Sequence, residues 1–243
     1  TLYNLGPAPE PNMTVLWHPE LPEGFKKFCA QVSIDTSSVQ YENDSLMRKV
    51  RGCDDYGIAC CVSYQAIGKA IQFFGARANL AKALLLAING GRCENTGTLM
   101  IEGIKPLSSD VLDFDEVMDN YKKVLHEVAR VYNETMNIIH FMHDKYDYEK
   151  SQMAFIDTDP KINLAYGVAG LSIVADSLSA IKHAKVTARR NADGLTEGFD
   201  IEGDFPKFGN DDDRVDVLAR DVVQFFNTEL CARKVYKGAE PTL

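Results

Sequence analysis

The chain has 243 residues, of which 45% are hydrophobic and 25% are charged, a composition typical of a soluble globular protein with a sizeable core. It excludes a disordered tail, a collagen and a disulfide-stapled miniprotein. The formal net charge of −9 disfavours nucleic acid and anionic lipid as partners, because proteins usually approach both through a basic face. The longest apolar stretches, such as residues 81–88, are far shorter than the roughly 20 residues that cross a bilayer, so no membrane segment is expected.

The first third of the chain predicts extended structure. Residues 1–24 are rich in Pro and Gly and predict a packed loop, because proline removes a backbone donor and restricts the residue before it. An alternating pattern predicts a short strand over residues 28–34. A short apolar run over residues 58–63 predicts a second strand or strand end.

Two helices are predicted in the middle of the chain. Apolar residues at helical spacing predict one between Gly75 and the Gly90-Gly91 pair, with Arg77 at its start and the glycines as a C-terminal cap. A longer helix is predicted from Asp113 to about Lys145, opened by a capping box of Asp113 and Glu116. At ~1.5 Å per residue it would be roughly 50 Å long, so a break near Asn133 is expected.

The last third predicts helix, hairpin and helix. A buried apolar side predicts a helix over residues 170–183. Asn-Ala-Asp-Gly between residues 185–190 and 196–202 predicts a β-hairpin. Three aspartates at 211–213 lack the ligand pattern of a calcium loop, and we expect them to cap a final helix that runs to about Lys234. With no internal repeat or linker, the sequence indicates one continuous mixed α/β region.

The adjacent pair Cys60-Cys61 is the most unusual chemical feature. The six cysteines form no paired CxxC zinc pattern and no disulfide framework, which favours a reducing compartment. Neighbouring thiols make a strained disulfide, but at a loop tip both sulfurs could reach one cavity. That arrangement suits chemistry in which one sulfur takes an acyl group and the other passes something onward. The alternative is that each cysteine is a small buried apolar residue.

Arg77 is the second candidate, in the run Phe73-Phe74-Gly75-Ala76-Arg77. A guanidinium pairs with a carboxylate through two N–H groups, and a helix N-terminus adds positive potential, so Arg77 could hold a small carboxylic acid. Phe74 could line the same pocket. The alternative for Arg77 is that it is an ordinary exposed or salt-bridged arginine. His140 and His143 are spaced three apart on a helix, but without a second such motif we expect an interhelical or surface pair and no metal site.

Eight segments together carry a family resemblance: Val32–Ser38, Ile58–Ser63, Gln72–Lys82, Ala87–Gly91, Ile138–His140, His143–Tyr146, Ala175–Lys182 and Phe205–Asp212. In this order they resemble the pyruvate formate-lyase family of glycyl-radical enzymes, and the likeness covers essentially the whole chain. The doubled cysteine resembles the branch that cleaves 2-oxo acids. Tyr64 departs from the family pattern, where a smaller residue or Pro is expected.

The resemblance implies an α/β fold, part of a glycyl-radical-enzyme β/α barrel with long surrounding helices. Residues 1–243 would then be an internal part of a single catalytic barrel domain. It also implies formate C-acetyltransferase activity, the radical cleavage of pyruvate with CoA to acetyl-CoA and formate. Cys60 would carry the acetyl thioester and Cys61 would relay the radical. Arg77 would bind the pyruvate carboxylate and Phe74 would line the pocket.

The family stores its radical on a backbone glycine near its C-terminus, but no Arg-x-Ser-Gly-Tyr loop occurs in these 243 residues. The chain also begins with Thr1. We therefore expect an internal fragment that is inactive alone and binds no cofactor itself, whereas its parent uses the glycyl radical, with CoA as cosubstrate. The resemblance further implies a homodimer, a radical-SAM activating enzyme as partner, and a cytoplasmic or, in a eukaryote, organellar location.

Two other functions remain open at this point. The first keeps the radical chemistry but uses 2-oxobutyrate, because one extra methylene changes binding by only ~1–3 kcal/mol. The second is a non-catalytic module in which the two neighbouring thiols bind a soft metal or an arsenical.

Overall fold

A computed structural model describes residues 1–8, 13–59, 63–146 and 158–243. The chain divides into two compact units, one formed by residues 1–72 with 150–163 and the other by residues 73–149 with 164–243. Helices and strands are mixed along the chain, as the predicted α/β class requires. The prediction of one catalytic domain over residues 1–243 stays a prediction.

The elements of the first half are short strands and helices, and β3 to β6 follow one another without a described helix between them. They are α1 (Leu2–Leu5), β1 (Met13–Trp17), α2 (Glu23–Asp35), β2 (Val39–Asn43), α3 (Asp44–Arg51), β3 (Tyr56–Ala59), β4 (Ser63–Ala66), β5 (Ala70–Phe73), β6 (Arg77–Asn79) and α4 (Leu80–Ile88).

The second half contains the longest helices. Its elements are α5 (Phe114–Asp144), β7 (Lys161–Ala165), β8 (Gly167–Ala169), α6 (Leu171–His183), β9 (Lys185–Arg190), β10 (Thr196–Glu202), α7 (Asp213–Cys231), a 3₁₀ turn (Tyr236–Gly238) and β11 (Glu240–Thr242). Within the described ranges, none of the helices combines the length and the apolar character needed to cross a bilayer.

The first unit corrects two predictions. The predicted strand over residues 28–34 is wrong, because these residues lie in α2, which connects the parallel strands β1 and β2. Cys29 and Val32, three residues apart, are the buried positions of this helix. Buried residues therefore recur at helical spacing, although apolar and polar residues alternate over part of this segment. The predicted loop over residues 1–24 is wrong in part, because it contains α1 and β1.

Helix α4 begins three residues later than Arg77. Residues 77–79 form β6, which pairs in parallel with β8, and the Asn79 side chain caps α4 by accepting a hydrogen bond from the Lys82 amide at 3.0 Å. The prediction that Arg77 starts a helix is therefore wrong. The predicted glycine cap is confirmed: the Gly91 amide donates to the Leu86 carbonyl at 2.8 Å, as in a Schellman motif.

Helix α5 is continuous over its 31 residues, so the expected break is wrong. Asp113 caps it by accepting from the Glu116 amide at 2.9 Å. The capping box is only half formed, because the Glu116 carboxylate accepts from Ser108. The apolar face of α5 is buried in the second unit, where Val117, Tyr121 and Val124 are fully enclosed.

The C-terminal predictions are confirmed closely. Helix α6 begins and ends within one residue of its predicted bounds, and β9 pairs antiparallel with β10. The Asn191 side chain stabilises their turn by accepting from the Asp193 and Leu195 amides, both at 3.0 Å. Asp212 caps α7 by accepting from the Arg214 amide at 3.0 Å, although α7 ends at Cys231, three residues early.

Candidate functional site

The cysteine pair is flanked by a β-hairpin. Strands β3 and β4 are antiparallel, with Ala59 opposite Ser63, so the predicted strand end over residues 58–63 is observed on both sides of the pair. Residues 60–62 themselves, including Cys60 and Cys61, lie outside the described residues. Their roles therefore remain a prediction.

A polar network supports the base of this hairpin. The Tyr56 and Tyr64 rings stack with centroids 5.1 Å apart. Tyr64, which departs from the family pattern, therefore packs against Tyr56. The Tyr56 hydroxyl donates to Asp44 Oδ1 at 2.7 Å, and Arg48 Nε donates to the same carboxylate at 2.9 Å. Burial raises the pKa of Tyr56 and raises that of Tyr64 to about 12, so both hydroxyls stay protonated at neutral pH.

Phe74 lies in the connection between β5 and β6. Its ring is half exposed, at 49% of its accessible surface, while its carbonyl accepts a hydrogen bond from His140 Nε2 at 2.8 Å. His140 is buried against the ring of Phe73, with centroids 4.5 Å apart. Burial lowers the pKa of His140, so the neutral ring donates through Nε2, and that nitrogen is not available to a metal.

The hydroxyl of Tyr132 holds the next part of this connection. It accepts a hydrogen bond from the Ala76 amide at 2.8 Å and from the Gly167 amide at 3.2 Å. It also donates to the Ala76 carbonyl. Burial raises the pKa of Tyr132, so the hydroxyl remains a donor. The helical pattern predicts Tyr132 only as an apolar-face residue; the one available signal is that a buried tyrosine needs a partner for its hydroxyl.

Two glycines permit the close approach of these backbones. A Cβ at Gly75 would lie 1.6 Å from the Ala165 carbonyl oxygen. A Cβ at Gly167 would lie 2.8 Å from the Ala76 carbonyl oxygen. A larger residue at Gly75 would force the connection between β5 and β6 away from the end of β7, and one at Gly167 would force β8 away from the same connection.

Arg77 is the first residue of β6 and is paired in register with Gly167. Its side chain is exposed, and within the described residues its guanidinium makes no hydrogen bond or ion pair. Phe74 is also exposed, three residues earlier, so one predicted site residue lies in the connection between β5 and β6 and the other directly follows it. The backbone of this connection is held at both ends, by His140 and by Tyr132.

A second titratable cluster, which the sequence did not reveal, surrounds Cys93. Lys82 Nζ lies 3.3 Å from Cys93 Sγ and also pairs with Glu94. Hydrogen bonds from the Thr96 hydroxyl, from nearby backbone amides and from Lys82 lower the pKa of Cys93 to about 7. A large fraction of this thiol is therefore ionised at neutral pH.

We expect Cys93 in the folded protein to react with iodoacetamide with a half-maximal rate near pH 7, because the thiolate is the nucleophile. In denaturant the midpoint should return to about 8.5. The Thr96→Val and Lys82→Met variants should each raise the midpoint in the folded protein. Peptide mapping by mass spectrometry measures the rate at this position, and a folded midpoint near that of the denatured chain would contradict the expectation.

Comparison with known sequences gives a family and a close relative. The sequence profile of the family described as "Pyruvate formate lyase-like" matches residues 1–243. Formate acetyltransferase 1 of Escherichia coli (strain K12) is 54% identical over 242 residues, which are 100% of this chain and 32% of that protein. The chain thus spans about a third of the length of this relative.

Comparison with solved structures supports the fold. A glycyl radical enzyme from Archaeoglobus fulgidus superposes with a TM-score of 0.71 at 17% identity, over 99% of this chain and 35% of that one. The B12-independent glycerol dehydratase from Clostridium butyricum gives 0.68 at 22% identity, over 96% and 34%. At these identities the likeness speaks for the fold alone, and it confirms an α/β fold that forms part of a larger glycyl-radical-enzyme architecture. Because the family profile matches from the first residue to the last, this chain belongs to the pyruvate formate lyase-like family.

Proposed function

We propose that this chain is the cysteine-bearing part of a formate C-acetyltransferase, which cleaves pyruvate with CoA to acetyl-CoA and formate. The observation that carries the proposal is the 54% identity to Escherichia coli formate acetyltransferase 1 over the whole chain. The doubled cysteine at 60 and 61 supplies the two sulfurs that the reaction needs. Substrate, partners and activity belong to the whole protein, so all are part of the proposal.

The chemistry needs two thiols with different roles. In this family a backbone glycyl radical supplies the unpaired electron, and Cys61 passes it to Cys60 by hydrogen-atom transfer. The Cys60 thiyl adds to the keto carbon of pyruvate, and the bond from that carbon to the carboxylate breaks. Acetyl remains on Cys60 as a thioester, and the one-carbon radical anion takes a hydrogen atom from a thiol to become formate. The thiyl left by that transfer takes a hydrogen atom from the CoA thiol, and the resulting CoA thiyl displaces the Cys60 thiyl from the acetyl group.

Arg77 and Phe74 are proposed to bind pyruvate. The exposed guanidinium of Arg77 has N–H groups free of other described residues and can hold a carboxylate through two of them. A local cation is needed because the chain carries a net charge of −9. The half-exposed ring of Phe74 provides an apolar wall for the methyl group. The same wall could accept the longer 2-oxobutyrate, so the ratio of kcat/KM for the two acids decides between them.

The proposal extends to the partners and to the location of the protein. We expect the intact enzyme to be a cytoplasmic homodimer, or organellar in a eukaryote, that requires a radical-SAM activating enzyme. The 243 residues alone should show no turnover, because they contain no glycyl-radical motif.

The direct test uses the full-length protein that carries this sequence. After anaerobic activation, ¹³C-labelled pyruvate and CoA should give labelled formate and acetyl-CoA, followed by NMR. If an electron paramagnetic resonance signal shows the glycyl radical but neither product forms, the proposed activity is refuted.

We expect Arg77→Lys to raise the KM for pyruvate at least about tenfold, because an ammonium cannot make the planar two-point contact that a guanidinium makes. The KM for CoA should stay unchanged. Arg220→Lys is the matched control, since Arg220 is an exposed arginine paired with Asp221 on α7. A normal pyruvate KM in Arg77→Lys would remove Arg77 from the site.

A further inference from the structure

We propose that Tyr132 is a positioning residue for pyruvate, which acts by fixing the backbone that carries Arg77. The inference rests on the proposed function, because it assigns the role through the Arg77 contact with the carboxylate. Tyr132 lies on α5, 56 residues from Ala76 along the chain. Its ring is buried and packs edge-on against Tyr166, with centroids 4.9 Å apart.

The hydroxyl of Tyr132 uses its full hydrogen-bonding capacity on backbone. A tyrosine hydroxyl has one donor and can accept two hydrogen bonds. Here the donor goes to the Ala76 carbonyl, and the acceptors serve the Ala76 and Gly167 amides. The two peptide groups on either side of Ala76 are therefore held by one atom. Since Arg77 follows directly, the position of its Cα is fixed by this oxygen.

His140 holds the other end of the same connection. Its Nε2 donates to the Phe74 carbonyl at 2.8 Å, which fixes the peptide group between Phe74 and Gly75. Together with the contacts of Tyr132, three consecutive peptide groups are bound by side chains of one helix. Residues eight apart on an α-helix are about 80° apart around its axis, which is within the width of one apolar stripe. Tyr132 and His140 are both buried residues of α5, so one side of this helix holds the connection.

This arrangement matters for pyruvate binding because the side chains of Phe74 and Arg77, which would contact the ligand, are exposed. A two-point guanidinium–carboxylate contact requires a defined direction, and a mobile backbone would lose entropy when the ligand binds. A connection that is already fixed avoids that loss, and it keeps the carboxylate in one place relative to the protein.

The main experiment is Tyr132→Phe in the activated full-length protein. It removes only the hydroxyl, so we expect the KM for pyruvate to rise about tenfold, the effect of one or two lost hydrogen bonds. The KM for CoA and the glycyl-radical content should not change. Tyr121→Phe is the matched control, because Tyr121 is a buried tyrosine of the same helix that donates to the Leu80 carbonyl at 3.2 Å. It should change the pyruvate KM less than twofold.

A double-mutant cycle with Arg77→Lys tests whether Tyr132 acts through Arg77. If it does, adding Tyr132→Phe to Arg77→Lys should raise the pyruvate KM less than twofold further. The inference would be overturned if the two substitutions raised the pyruvate KM by factors that simply multiply in the double variant. An unchanged pyruvate KM in Tyr132→Phe would also overturn it. Absence of pyruvate cleavage in the unmodified enzyme would instead overturn the proposed function, so the two failures are distinguishable.

A pair of variants at His140 gives the same readout if Tyr132→Phe does not fold. The amide nitrogen of Gln can occupy the place of His140 Nε2 and donate to Phe74, whereas Leu has no donor. We expect His140→Gln to keep the pyruvate KM within about twofold of the unmodified enzyme, and His140→Leu to raise it several-fold. Equal values in the two variants would contradict positioning by α5.

Discussion

Cys60→Ser and Cys61→Ser, each in the full-length protein, are expected to lower acetyl-CoA formation by a factor on the order of 10⁴ or more. A hydroxyl cannot replace either thiol, because its O–H bond is far stronger than an S–H bond and it does not exchange hydrogen atoms with a thiyl. The glycyl-radical signal should persist in both variants, since the radical is stored elsewhere. Cys231→Ser, at an exposed thiol, should alter turnover less than twofold.

The two cysteines can be told apart by where the acetyl group is found. With labelled pyruvate and no CoA, the unmodified enzyme should carry the label on the sulfur of Cys60 and not on that of Cys61, as fragmentation of their shared peptide by mass spectrometry shows. Cys61→Ser should leave Cys60 unlabelled, because the radical no longer reaches it. Turnover retained in either variant would exclude the radical mechanism for this pair. Loss of arsenical affinity with pyruvate cleavage intact would favour the dithiol module.

Gly75→Ala should destabilise the full-length protein by about 3 kcal/mol or leave it insoluble. The new Cβ would lie 1.6 Å from the Ala165 carbonyl oxygen, and backbone cannot move aside as a flexible side chain can. The displaced connection would also strain the hydrogen bonds of Tyr132. The measurement is the midpoint of denaturant unfolding.

Gly24→Ala is the matched control for this substitution. Gly24 lies in α2 and a Cβ there would meet nothing within 4 Å, so alanine should stabilise the protein by about 0.5 kcal/mol. An unfolding midpoint for Gly75→Ala equal to that of the unmodified protein would show that the two backbones are not in close contact.

The sequence was sufficient to predict the helices and turns that are specified by residues close together in the chain. The apolar period and the Asp113 cap predict α5, and Asp-Gly predicts the turn between β9 and β10. The prediction of a strand at residues 28–34 was wrong because seven residues are too few to separate the two-residue period of a strand from the 3.6-residue period of a helix. The parallel pairing of β1 with β2 on either side of α2 decided the outcome, and nothing in the local sequence encodes it.

The sequence by itself determined the family resemblance, the doubled cysteine, and the pairing of Phe74 with Arg77 in one short segment. Only the tertiary structure decided how that segment is held. The hydroxyl of Tyr132 and the ring of His140 reach it from 56 and 66 residues away, and residues 77–79 pair with β8 as a strand rather than forming the first turn of α4. Such contacts satisfy buried backbone groups across long sequence separations, so they leave no periodic signal in the amino-acid sequence.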